Sequence, residues 1–320
     1  RNTMARKFTR RRASSDRPTL YQDITDTIIA ELEAGRVPWV QPWASAKATL
    51  QMPHNASSNC CYSGINVLIL WHAVVSRGFS SNAFLTFRQA LELGGNVCKG
   101  AGGTTVVYAH RFTPGDERRK AAEEGREPGS IPFLKRFTVF NIDQCEGLPD
   151  AYTAEIPQCD PAQILSEAEA LIKSTGADFS IGGDQAYYDV ANDRVCVPPP
   201  SRYFEPINWN RTAFHELGHW TGSRSRLDRD QTGAFGSDKY GREELVAEMA
   251  GAFVCAALGI EPTVRHSDYI GAWLDIMRAD DRAIVRAASA ASKAADYLLA
   301  FRDTNESAAK GAAFDERRAA

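Results

Sequence analysis

The pentapeptide His215-Glu216-Leu217-Gly218-His219 places two imidazoles four residues apart, with a carboxylate beside the first. On a helix, residues four apart share a face, so both rings can reach one ion while Glu216 takes a proton from bound water. A random chain of this length and composition contains the pattern on the order of once in a hundred, and more rarely within a helical stretch. A hydrolytic zinc site needs a third protein ligand and one open position. Acidic candidates follow in Arg242-Glu243-Glu244-Leu245-Val246-Ala247-Glu248-Met249. There Leu245, Val246, Met249 and Phe253 form an apolar sector. Glu244, Ala247, Glu248 and Gly251 share another face, whose small residues admit close approach to the histidine helix. Glu244 is expected as the third ligand, with Glu248 as its rival. In the first arrangement Glu248 orients a histidine through the far ring nitrogen. Glu243, about 100° round the helix, is expected in solvent.

This donor set suits zinc, with manganese or another divalent ion as alternatives. An ion so held lowers the pKa of bound water to about 7 and polarises a carbonyl, leaving Glu216 as general base and proton shuttle. Tyr240 and His266 are the candidates for stabilising an oxyanion. The competing reading is an ion that only staples the fold, for which a base such as Glu216 is unnecessary.

The elements that must position these groups read as α+β. Helical periodicity is expected at 21–35, 65–77, 86–93, 164–175, 206–221 and 239–258, with alanine-rich helices closing the chain. Strands are expected at 104–111 and 136–142. A hairpin is expected from 186–190 and 194–197, with Ala191-Asn192-Asp193 as its turn. The charged run 114–129 reads as an exposed loop. The boundaries expected are a basic arm over 1–17, a first domain over 18–150, a second over 151–303, and a frayed tail over 304–320. No apolar run approaches the roughly 18–20 residues of a membrane helix. Seven scattered cysteines without a C-x-x-C argue against a disulfide framework, so a reducing cytoplasm is the simplest home.

Net charge is −3 but unevenly placed. Residues 1–150 hold 19 Lys+Arg against 14 Asp+Glu, or +5, and the remainder holds 18 against 26, or −8. The asymmetry points the first half toward a polyanion, although a solubilising arm explains the cluster at Arg6–Arg12 equally well. Single strands are held by aromatics that stack on bases and cations that follow phosphates. Trp39, Trp43, Tyr62 and Phe87, interleaved with Lys47, Arg88, Lys99, Arg111 and Lys135, are compatible with that. A Trp between prolines is also an ordinary core plug, and Phe87, at helical spacing from Leu91, is expected to be buried.

The His-Glu-x-x-His and Glu-x-x-x-acid pair on consecutive helices resembles the gluzincin branch of zinc metallopeptidases. That resemblance implies a Glu ligand followed four residues later by an acid that supports a histidine. It also implies a strand along the cleft that pairs with substrate backbone, a place that 194–197 occupies in sequence. A longer series carries a second resemblance: Pro38-Trp39, Pro42-Trp43, Pro53-His54-Asn55, Tyr62-Ser63-Gly64-Ile65-Asn66, Phe84-Leu85-Thr86-Phe87-Arg88-Gln89-Ala90, Phe140-Asn141-Ile142-Asp143-Gln144, then Phe214 to Gly222 and Arg226-Leu227. Over about 18–303 this series is similar to the ArdC antirestriction family, whose N-terminal domain is shared with conjugative primases of the TraC kind. The resemblance implies single-stranded DNA binding by the first half, protection of incoming plasmid DNA from restriction, and a zincin domain acting on an unknown protein or peptide. Two rival functions remain at this point. One is a passive DNA-shielding protein with a structural metal; the other is a cytosolic metallopeptidase whose first half binds protein.

Overall fold

The computed structural model describes residues 19–40, 47–153, 160–262 and 269–319. Helix α1 (Leu20–Glu33) starts where the Thr19 hydroxyl accepts from Gln22 N, and buries Ile24, Thr25, Ile28 and Leu32. After β1 (His54–Asn55), α2 (Ile65–Arg77) ends on Gly78, whose φ of +66° suits a residue without a Cβ. Strand β2 (Ala83–Thr86) runs into α3 (Phe87–Glu92) through a capping box of Thr86 and Gln89. Then follow β3 (Asn96–Val97), β4 (Thr104–Phe112), α4 (Gly115–Glu124), β5 (Ile131–Asn141) and β6 (Cys145–Glu146). The main sheet has the order β1-β2-β5-β4, and β3 pairs with β6 alone.

The second half runs α5 (Asp150–Thr153), α6 (Pro161–Ser174), β7 (Asp178–Ile181), β8 (Tyr187–Asp189), β9 (Arg194–Val197), α7 (Pro206–Trp220), α8 (Asp238–Ala257), α9 (Ile270–Ala279) and α10 (Ala283–Ala319). Its sheet has the order β7-β9-β8, parallel on one side of β9 and antiparallel on the other. The expected hairpin is present as β8–β9. Asp193 takes the left-handed φ of +52° at its turn, and Asp189 accepts from Ala191 N and Asn192 N. The fold is α+β, as the periodicities indicate.

One segment expected to be irregular is helical instead. Residues 115–124 form α4 because Asp116 and Glu117 lie in its first turn, where they complement the helix dipole. Arg126 folds back on Glu117, and Gly125 caps the end. Helix α10 extends to Ala319, in a run rich in strong helix formers such as Ala, Lys and Arg.

The two halves share one core. Trp39 packs edge-on against Trp273 at 5.5 Å, and Trp71 meets Phe253 at 5.7 Å. All four side chains are almost wholly buried, and each contributes about 1.5–3 kcal/mol of apolar transfer. Polar contacts reinforce the seam. Thr25 Oγ1 donates to Asp281 O at 2.7 Å, and Gly64 N donates to Ser292 Oγ at 2.7 Å. Among the described residues, no helix is long and apolar enough to cross a membrane, and the described cysteines are free.

Candidate metal centre

Helices α7 and α8 carry the site and cross so that His215 lies by Glu248, His219 by Glu243, and Glu244 between them. Close approach depends on two glycines. A Cβ on Gly218 would stand 3.2 Å from Ala247 Cα and O, whereas one on Gly251 would stand 3.4 Å from His215 N. The first contact is against backbone and too tight; the second is near ordinary van der Waals distance. Gly218→Ala is therefore expected to cost about 1–3 kcal/mol in overpacking, a net loss of up to about 2 kcal/mol after the gain of about 1 kcal/mol in helix propensity. Gly251→Ala should be nearly neutral. Thermal denaturation of the two variants checks this, and equal melting temperatures would refute it.

Nε2 of His215 and Nε2 of His219 each lie 3.5 Å from an oxygen of Glu244. Nitrogen and oxygen ligands at tetrahedral angles around a zinc-sized ion stand about 3.3–3.4 Å apart, so these three groups are spaced as ligands. His215, Glu216 and His219 also present donor atoms within 4.8 Å of one another. All four residues are buried. They form the floor of a cleft of about 260 Å³, whose wall includes Tyr187, Tyr188 and Val190 of the β8 hairpin and Tyr240 of α8.

The far ring nitrogens are held as well. His215 Nδ1 is 3.2 Å from Glu248 and His219 Nδ1 is 3.3 Å from Glu243. Burial disfavours the charged imidazoles, but Glu244 with Glu248 outweighs it at His215, and Glu243 with Glu244 at His219, raising the two to about 10 and about 9. Burial pushes the Glu244 carboxyl upward, yet the two histidines hold it far below its usual range. A divalent ion entering the site must therefore displace protons.

Glu243 is a correction, because it is not in solvent. Arg229 grips it through Nε at 3.0 Å and Nη2 at 2.7 Å, and Gln231 Nε2 donates to it at 3.2 Å. Both partners come from the loop between α7 and α8, and both also bond the end of α7: Arg229 to Gly218 O, Gln231 to His219 O. The helical wheel misplaced Glu243 because it knows nothing of that loop, which brings a cation to the helix C-terminus. Spacing alone held no signal for this pairing. Glu243→Gln is expected to weaken ion binding about 10–100-fold by releasing His219, as loss of an outer partner does elsewhere. Competition against a chromogenic chelator measures this, and unchanged affinity would show that His219 needs no such support.

The cleft-side strand is also corrected. Strand β9 sits between β7 and β8 and has no free edge, so the edge beside the cleft belongs to β8. Arg226 holds that hairpin in place. It lies 4.0 Å over the Trp220 ring, donates to Trp220 O, and pairs with Asp193 at the turn. Tyr240 lines the cleft with its hydroxyl 3.3 Å from that of Tyr269, whereas His266 lies outside the described residues.

A model of the N-terminal domain of anti-restriction factor ArdC matches residues 18–140, and one of a zincin-like metallopeptidase matches 166–290. The fold is similar to the metal-free crystal structure of the antirestriction ArdC protein from plasmid R388. The TM-score is 0.74 at 39% identity, over 90% of this chain and 99% of that one. The chain belongs to the ArdC antirestriction family. The Mn(II)-bound structure of the same R388 protein gives a TM-score of 0.73 at 36% identity, over 89% and 98% of the two chains. Protein y4eC of Sinorhizobium fredii is 35% identical over 92% of this chain and 96% of its own length. DNA primase TraC of Escherichia coli is 33% identical over 88% of this chain, which spans only 20% of the primase.

In this member of the ArdC family, the residues expected to touch DNA differ in their exposure. Trp39 is fully buried against Trp273, so its faces are not open to a base. Tyr62 is partly buried, which raises its phenol pKa. Phe87, expected inside, is half exposed, because α3 turns its Phe87–Leu91 stripe outward and buries only Ala90. Arg88 is exposed and paired with Glu92 at 2.8 Å, and Lys99 is exposed. Lys135 is exposed over the Phe137 ring at 4.9 Å. Trp43 lies outside the described residues, and Arg111 is described only as part of the β4 backbone.

Proposed function

We propose that this chain is an antirestriction protein that binds single-stranded DNA through its first half and carries a divalent-metal-dependent peptidase site in its second. The peptidase part rests on the convergence of His215 Nε2 and His219 Nε2 on Glu244, on a cleft floor that also holds Glu216. His215, His219 and Glu244 would hold the ion, and nitrogen and oxygen donors suit zinc or manganese. The Mn(II)-bound state of the R388 relative supports a divalent ion here. When bound, such an ion supplies an acidified water and a polarised carbonyl.

The chain's own groups complete the chemistry. Glu216 accepts a proton from the attacking water and hands it to the departing amine. Glu248 and Glu243 hold the two imidazoles in orientation through Nδ1. Burial, then Tyr269 and Glu244, raises the Tyr240 phenol far above neutrality. It therefore keeps its proton and can donate it to an oxyanion. The free edge of β8 offers backbone groups to an extended peptide, and β-strand addition is a common mode of peptide capture.

The DNA part rests on family membership and on the TraC relative being a DNA primase. Its test is binding of a fluorescently labelled single strand against the matching duplex across a range of salt. A preference for the single strand that weakens with salt is expected. No binding at low salt would leave a metal site with a first half of other purpose.

A further inference from the structure

Among the described residues, β2 pairs with β5 from Val139 to Asn141, and the outer part of β5 pairs with β4 alone. In this ribbon Thr104 faces Val139, Val106 faces Phe137, and Tyr108 faces Lys135, all on one side of the sheet. The inner end of that side is core, with Thr104, Val106 and Val139 buried. Further out it opens abruptly. Tyr108 is 58% and Phe137 39% exposed, and Phe112 continues the row at 55%. Lys135 stands between the two rings, directly opposite Tyr108 and 4.9 Å over Phe137. Tyr108 and Phe137 are diagonal neighbours, about 7–8 Å apart. None of these positions is acidic.

Exposed aromatics in a row are uncommon on a monomer's surface and mark binding faces. A cation seated among them selects a polyanion that also carries flat rings, as an unpaired nucleic-acid strand does. We propose that this face is the single-strand-binding surface, with Tyr108 and Phe137 as stacking platforms for bases and Lys135 as the phosphate contact between them. The assignment rests on the reading of the first half as a single-stranded DNA binder.

Fluorescence anisotropy with a labelled oligothymidylate tests it on the full chain. Tyr108→Ala and Phe137→Ala should each weaken binding about tenfold and together about a hundredfold, within the range of one base–aromatic stack each. Tyr108→Phe should bind like the parent, since stacking needs no hydroxyl. Lys135→Ala should flatten the log affinity against log salt slope by about 0.7, the loss of one single-strand phosphate contact. Phe204→Ala, which removes a fully exposed aromatic of the second half, should change nothing. Exposed positions leave the core intact, and unchanged melting temperatures would verify this. If the parent binds and the Tyr108 and Phe137 variants bind equally well, the surface lies elsewhere while the DNA-binding reading stands. If the parent does not bind at all, both fall.

Discussion

Glu216→Gln is expected to lower metal-dependent peptide hydrolysis by about 10²–10⁴-fold, the usual contribution of a positioned general base, with divalent-ion affinity within a few-fold of the parent. The substitution keeps the shape of a side chain that is 4% exposed, so no cavity opens. It removes only the capacity to accept a proton. The selectivity of the effect carries the information. Glu216 presents an oxygen within 4.8 Å of the histidine donor atoms, close enough to ligate an ion itself. A casein or peptide digest beside an ion-binding measurement separates the roles. Lost activity with retained affinity identifies a base. A large loss of affinity would make Glu216 a ligand and the centre a structural one. Retained activity would mean that another group moves the proton.

Glu244→Ala is expected to weaken divalent-ion binding by more than the roughly 10–100-fold that an outer carboxylate is worth, and Glu248→Ala to stay within that range. Glu244 faces both Nε2 atoms, whereas Glu248 meets His215 at Nδ1. If Glu248→Ala proved the more damaging, the roles of the two acids would be exchanged. Without an ion, Glu244→Ala also removes one of the two carboxylates that each buried imidazole faces, leaving Glu248 at His215 and Glu243 at His219.

The same groups set the pH dependence. In the folded metal-free chain the histidines are raised from 6.5 to about 10 and about 9. Their contribution to stability is therefore full below pH 6.5 and is lost as pH rises through 9–10. Glu244 is lowered from 4.5, so its contribution is present above pH 4.5 and is lost in acid. Ion affinity moves the opposite way to the histidines, rising by about tenfold per pH unit for each proton displaced. Calorimetric titrations between pH 6 and 8 would show this, and a flat profile would mean that the imidazoles are already neutral.

The grouping of donor atoms at the candidate centre was legible in the sequence because it is local. His215, Glu216 and His219 lie within five residues, and a helix turns that spacing into one face without help from the rest of the chain. The small face of Glu244, Ala247, Glu248 and Gly251 was equally readable, since a helix buries its smallest residues where it must approach a neighbour most closely. Helix ranges such as 65–77 were readable too, because a cap such as Gly78 acts on its own neighbours. Local signals ended there. Glu243 is drawn from solvent by Arg229 and Gln231, and their place depends on how the 222–237 loop folds over the end of α7. The cleft-side strand is β8 rather than β9 because β7 covers the other side of β9, and strand order is a property of the assembled sheet. Trp39 became core and Phe87 became surface for a related reason. The segments carrying them meet different neighbours, Trp273 and the open side of α3, and a residue's own type and spacing cannot specify what lies across from it. What the linear pattern determined was which groups can act together within a turn of helix. Which outer carboxylate supports which histidine, which strand edge meets the cleft and which aromatics face water were decided by tertiary contacts between residues far apart in the chain.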